Sequence, residues 1–161
     1  MKITKVETIV INMPMLIEGS VVPQQGGKGR TSMDTLLVRV ETDAGVTGWG
    51  EGFGHRIFTA TKAALDTFIG PMCVGRDPTA ISALMDELQR GLTGVGRNGP
   101  AMYALSAIDI ALWDIAGKLA KLPLYRLLGG SSREKLPAYA SLLRYGEPKA
   151  VTQYTERALK R

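Results

Sequence analysis

Two aspartates five residues apart, Asp109 and Asp114, lie in the apolar run ALSAIDIALWDIAGK that ends at Gly117 and Lys118. Paired carboxylates do general acid and base work when both are aimed at one reacting centre. On a helix a five-residue step turns them about 140° apart, so one straight helix does not converge them. Ala104, Ala107, Ile108, Ala111 and Ile115 fall at helical spacing and make a stripe of mostly small side chains, against which another backbone can approach closely. The flanking acids therefore read as framework that caps loops or pairs with Arg or Lys, because a carboxylate beside an apolar face needs such partners.

Other residue types invite other chemistry. GGKGRTS, residues 26 to 32, looks like a phosphate loop, but Lys28 is followed by Gly29 rather than Ser or Thr, and a strand follows instead of a helix. A loop of the long, functional kind is the better account of residues 18 to 32. His55 is the only histidine and sits just past a hairpin. A general base needs a positioned proton and a supporting acid, neither of which the sequence shows, so His55 reads either as an ordinary exposed side chain or as one that touches a ligand. Arg56 beside it reads as a solvated charge or a carboxylate clamp. Glu51 is expected to anchor the hairpin end. Cys73 is the only cysteine, so no internal disulfide forms and a buried structural thiol is expected.

The elements that must position these residues follow from periodicity. Residues 3 to 13 are rich in Val, Ile and Thr and stop at Pro14, as a strand does. TLLVRVET and GVTGWGE flank Asp43, Ala44 and Gly45, a hairpin signal in which Gly45 supplies positive φ. The period then changes from two to about three and a half. Helices are predicted over 58–69, over 79–92 behind Asp77 and Pro78, and over 100–119 behind Asn98. Strands followed by helices indicate an α+β domain: a three-stranded antiparallel meander followed by helices. Gly129 to Ser132 mark a boundary, KLPAYASLL predicts a new strand from about Leu136, and 147–161 predicts the helix after it. One strand and one helix cannot bury their own apolar faces, so the second domain reads as truncated.

Composition narrows the class. At 45% hydrophobic and 22% charged residues the chain is expected to pack a core. Its formal charge of +5 is scattered rather than interleaved with aromatic residues, which argues against nucleic-acid binding and leaves a basic rim suited to an anionic substrate. No signal peptide or membrane-spanning run is present, so a soluble, cytoplasmic protein without membrane partners is expected.

The run AxSAIDIALWDIAGKxxxxPLYRLLGG, residues 104 to 130, resembles the first signature of the mandelate racemase and muconate lactonizing enzyme family of the enolase superfamily. MKITKVET, GVTGWGE and PAYAS lie in the order this family shows. The resemblance implies a capping domain over residues 1–130, and over 131–161 the first β/α unit of a TIM-like (β/α)7β barrel, truncated in this chain. It implies a small carboxylate substrate, with an acid sugar among the candidates, held on Mg²⁺ while a Lys or His base removes the α-proton to give an enediolate. Dehydration of an acid sugar is favoured over racemisation or cycloisomerisation because the loops that would close over the site carry Lys28, Arg30, His55 and Arg56. In the family pattern the Lys-x-Lys base and the acidic metal ligands lie on later barrel strands, beyond Arg161. No catalytic or metal-ligating residue is therefore assigned within residues 1–161, and this chain alone is expected to be inactive. Substrate contacts fall instead to Lys28 in the first loop, His55 and Arg56 in the second, Ser141 near a strand end and Arg144 just past it. A homo-oligomer is expected. The alternative from another class is a noncatalytic cap-like module that binds a ligand or partner.

Overall fold

A computed structural model describes residues 1–14, 32–131, 133, 135–141 and 147–160. They fall into two compact units, Met1–Ile11 with Asp34–Ser131, and Asn12–Met33 with Ser132–Arg161.

Among the described residues a three-stranded sheet runs in the order β1 (Ile3–Pro14), β2 (Ser32–Thr42), β3 (Thr47–Gly52). β2 and β3 form the expected antiparallel hairpin, with Gly45 at φ 75° in the turn. Thr42 clamps it: its hydroxyl donates to the Val46 carbonyl at 2.8 Å and accepts from the Val46 N–H at 3.1 Å. Strand alternation sends Leu36, Val38 and Val40 into the core, and their register partners on β3 are Gly52, Gly50 and Gly48. Every inward position of β3 thus lacks a side chain.

The helix of the signature fills that space. α4 (Gly99–Ala120) begins after Asn98, whose backbone is extended, with Pro100 in its first turn where a missing N–H costs nothing. It ends at Lys121, which takes the left-handed conformation usual for glycine at φ 54°, and Pro123 prevents continuation. Ala104, Ala107, Ile108, Ala111 and Ile115 are fully buried, as the stripe predicts. A Cβ at Gly50 would collide with the Ala107 carbonyl oxygen and one at Gly48 with that of Ala111, so the helix backbone lies directly on the strand.

Asp114 and Lys118, four residues apart on α4, secure the same strand. The Asp114 carboxylate accepts the Trp49 backbone N–H at 2.8 Å, Lys118 Nζ donates to the Thr47 carbonyl at 2.7 Å, and the two side chains pair at 2.6 Å. The framework reading of this acid is the observed one. Asp109 corrects the expectation for its flank: its carboxylate receives a hydrogen bond from the Trp113 side chain on the same helix rather than from Arg or Lys. Burial raises its pKa, and the Trp113 bond opposes the rise.

The remaining helices complete the core. The predicted helix over 58–69 is instead α1 (Phe58–Ala64), a π-helical turn (Leu65–Ile69) and α2 (Gly70–Cys73). Pro71 is the physical reason, since its ring would crowd the carbonyl four residues back in a regular α-helix and the wider turn makes room. Cys73 is buried, its thiol donates to the Ile69 carbonyl at 3.2 Å, and burial pushes its pKa up to about 12, as befits a structural thiol. α3 (Ile81–Gly91) starts later than predicted, because the Asp77 carboxylate accepts both the N–H and the hydroxyl of Thr79 and holds the chain in a turn. A short α5 (Leu124–Leu127), unforeseen in the sequence, follows Pro123.

In the second unit α6 (Pro148–Leu159) forms as predicted, with Pro148 in its first turn. Of the strand predicted from about Leu136, residues 135–141 join no ladder among the described residues, and 142–143 lie outside them. A strand is defined by its neighbour, and period-two patterning alone supplies none.

Candidate functional site

β3 stops at Gly52, and the chain turns at once through Phe53 and Gly54 into a 3-10 turn, His55–Ile57, that leads into α1. A Cβ at Gly54 would lie 2.6 Å from Phe58 Cα and 2.8 Å from Thr61 Oγ1, so this position admits only glycine. Inside the turn the Ile57 N–H donates to the Gly54 carbonyl at 2.7 Å. His55 takes a left-handed φ of 41°, an uncommon conformation in which His is enriched among residues with a side chain. The Phe53 ring stands edge-on to Tyr103 of α4, with centroids 5.0 Å apart and planes at 81°.

This construction presents a mixed surface. His55 and Arg56 are exposed, and Phe53 and Ile57, at 62% and 51% exposure, flank them with apolar area. A cation and an imidazole beside an apolar rim suit an anionic, hydroxylated small molecule. Arg56 brings a planar donor fork that matches a carboxylate, and His55 brings ring nitrogens for a hydroxyl. Glu51 is not part of the arrangement, and it does not anchor the hairpin end as expected. Its carboxylate is exposed, makes no ion pair or hydrogen bond among the described residues, and only its backbone position opposite Leu37 is fixed.

The two aspartates do not converge, since Asp114 serves the edge of β3 and Asp109 serves Trp113. Among the described residues no group of three or more His, Cys, Asp or Glu is placed to hold a metal ion.

In the second unit Ser141 lines an open cleft of about 620 Å³ with Tyr139, Tyr154 and Arg157. The Arg157 guanidinium lies 5.5 Å from the centroid of the Tyr154 ring, a stacked cation at helical i,i+3 spacing. The sequence reading missed Arg157, although an aromatic and an Arg three apart on a predicted helix signal it. Lys28 and Arg144 lie outside the described residues. Of the residues singled out for substrate contact, the structure joins His55 to Arg56 on one turn and places Ser141 in the cleft of the other unit. It also adds Thr61, whose fully buried hydroxyl bonds the Phe53 carbonyl from within α1. No motif marks Thr61, because its partner is fixed only when the turn folds back.

Residues 17–129 match the family described as mandelate racemase / muconate lactonizing enzyme, N-terminal domain. A D-galactonate dehydratase family member from Musicola paradisiaca is 46% identical over 110 residues, which cover 66% of this chain and 26% of that protein. The chain thus spans about a quarter of the length of that relative. A member of the enolase superfamily from Polaromonas sp. JS666 shares the fold with a TM-score of 0.85 at 34% identity, over 100% of this chain and 42% of that one. An enolase from Pantoea ananatis with bound D-gluconate and Mg gives a TM-score of 0.62 at 35% identity, over 82% of this chain and 28% of that one. The meander, the glycine-lined strand and the signature helix laid across it are those of the enolase superfamily, and this chain belongs to its mandelate racemase/muconate lactonizing enzyme family.

Proposed function

We propose that residues 1–130 are the capping domain, and 131–161 the start of the barrel domain, of a Mg²⁺-dependent acid-sugar dehydratase. The observation that carries this reading is the 46% identity to a D-galactonate dehydratase family member, supported by the fold shared with a protein that holds D-gluconate and Mg. The basic and apolar turn at 53–57 agrees in chemistry with a polyhydroxylated carboxylate.

In this reading the cap's residues recognise the substrate rather than transform it. Arg56 donates to the carboxylate or to a hydroxyl oxygen, His55 hydrogen-bonds a hydroxyl, and Phe53 and Ile57 exclude water from the covered end of the sugar. Ser141 donates its hydroxyl to a substrate oxygen, and Lys28 and Arg144 add positive charge. Mg²⁺, when bound, stabilises the negative charge that develops at the substrate carboxylate as the α-proton leaves. The base and the metal ligands belong to barrel strands beyond residue 161, so residues 1–161 alone turn over no substrate.

The test uses the full-length protein with a panel of five- and six-carbon aldonic acids. Expected are loss of water to a 2-keto-3-deoxy acid, exchange of the α-proton with deuterated water, and loss of both on chelation of Mg²⁺. Absence of metal-dependent exchange across the panel would overturn the reading.

A further inference from the structure

We propose that Thr61, a residue of α1 with no exposed surface, is the positioning residue for the His55–Arg56 turn, and through it sets which acid sugar the cap accepts. This rests on the reading above that the turn faces substrate.

A threonine inside a helix usually returns its hydroxyl to the carbonyl four residues earlier. Thr67, Thr152 and Thr155 all do so here, bonding Ala63, Pro148 and Val151. Thr61 departs from that habit. Its hydroxyl reaches out of the helix and donates to the Phe53 carbonyl at 2.9 Å, eight residues back and on the far side of the turn. Its two branches also meet both glycines that flank Phe53. A Cβ at Gly52 would lie 3.4 Å from the Thr61 methyl, and one at Gly54 would lie 2.8 Å from the hydroxyl. The side chain is a wedge between the end of β3 and the start of the turn, and both glycines are open so that it fits. His55 and Arg56 follow immediately, so the direction in which they leave the sheet is set where Thr61 holds the backbone. The hydroxyl is the directional part of that hold. Valine has the same shape but no donor, and it would leave the Phe53 carbonyl without this partner.

Full-length wild-type protein, Thr61→Val and Thr61→Ser are compared by hydrogen exchange at the Ile57 amide, which closes the turn, and by tryptic cleavage after Arg56. Thr61→Val is expected to speed both about tenfold, while Thr61→Ser, which keeps the hydroxyl, stays within about twofold of wild type. In steady-state assays on two aldonic acids, Thr61→Val is expected to raise KM about tenfold with kcat held within about twofold, and to change the preference between the acids. Thr61→Ser is expected to restore the preference. Exchange in Thr61→Val as slow as in wild type would overturn the positioning role. Faster exchange with unchanged KM and preference would show that the turn is held by Thr61 yet does not select substrate, which overturns the proposal while leaving the dehydratase assignment intact. If Thr61→Val does not fold, Thr61→Ser against Thr61→Ala, which differ only in the hydroxyl, reads the same quantities.

Discussion

β3 and the turn that follows it are adjacent in sequence and are held by opposite means. In residues 47–52, Gly48 and Gly50 lie on Ala111 and Ala107 of α4, with the two backbones in direct contact. Residues 53–57 turn outward, with Phe53 and Ile57 more than half exposed, and the contacts that hold their entry include the Thr61 hydroxyl on the Phe53 carbonyl, the Tyr103 ring edge and the Ile57–Gly54 hydrogen bond. Stability is spread over the first region, whereas direction is concentrated in the second. Substitutions in the strand are expected to be felt as unfolding, and, under the proposed function, substitutions in the turn as a change in what is bound.

The largest test of that contrast is Gly50→Ala. The new methyl has backbone rather than a flexible side chain in its way, so separating α4 from β3 is expected to cost about 3 kcal/mol or more. Urea denaturation checks it, and Arg56→Ala on the exposed turn should change the same midpoint by no more than about 0.5 kcal/mol. Equal losses in the two variants would erase the distinction between the regions.

Asp114→Ala comes next. It removes the acceptor for the Trp49 N–H and the partner of Lys118, both at the partly exposed edge of the sheet, and should cost about 1 to 2 kcal/mol. Amide exchange at Trp49 should rise more than exchange at Gly50, whose carbonyl and N–H face β2. Uniform acceleration along β3 would mean that Asp114 supports the whole helix contact rather than its edge.

Asp109→Asn is the smallest. Burial raises the carboxyl above its ordinary value of 3.8, so the folded state binds this proton more tightly than the unfolded state. Its contribution to stability is greatest in acid and declines as pH rises through 3.8 to the folded value. Asparagine can still accept from Trp113 and carries no charge, so a gain of a few tenths of a kcal/mol is expected at pH 7, disappearing near pH 3, in paired melting curves. A loss at pH 7 would show that the charge is used after all.

Much of the fold was legible because its determinants are local. Gly45 marks the hairpin, and the small stripe of α4 predicts close approach without naming β3 as the partner. The partner was legible in principle, since glycine at every second position of TGWGEG is the mark of a strand that another backbone touches. The break at Leu65–Ile69 was hidden because the periodicity continues through it and only Pro71 betrays it. The stretch 135–141 carries strand patterning but joins no ladder among the described residues, because strand pairing is a non-local property. In the candidate site His55 and Arg56 were legible as polar residues just past a hairpin. Thr61 was not, since its bond spans eight residues and leaves its own helix.

The Asp114 and Lys118 side chains have one more consequence. Among the described residues β3 is the last strand of its sheet, so its outward backbone groups are a template on which a foreign strand can add. Along that margin the Thr47 carbonyl takes a donor from Lys118, and the Trp49 N–H finds an acceptor in Asp114. A donor and an acceptor so arranged across Gly48 are what one residue of a neighbouring parallel strand would offer. The helix thus counterfeits a fourth strand for the length of a single residue, and β3 is closed there to any other.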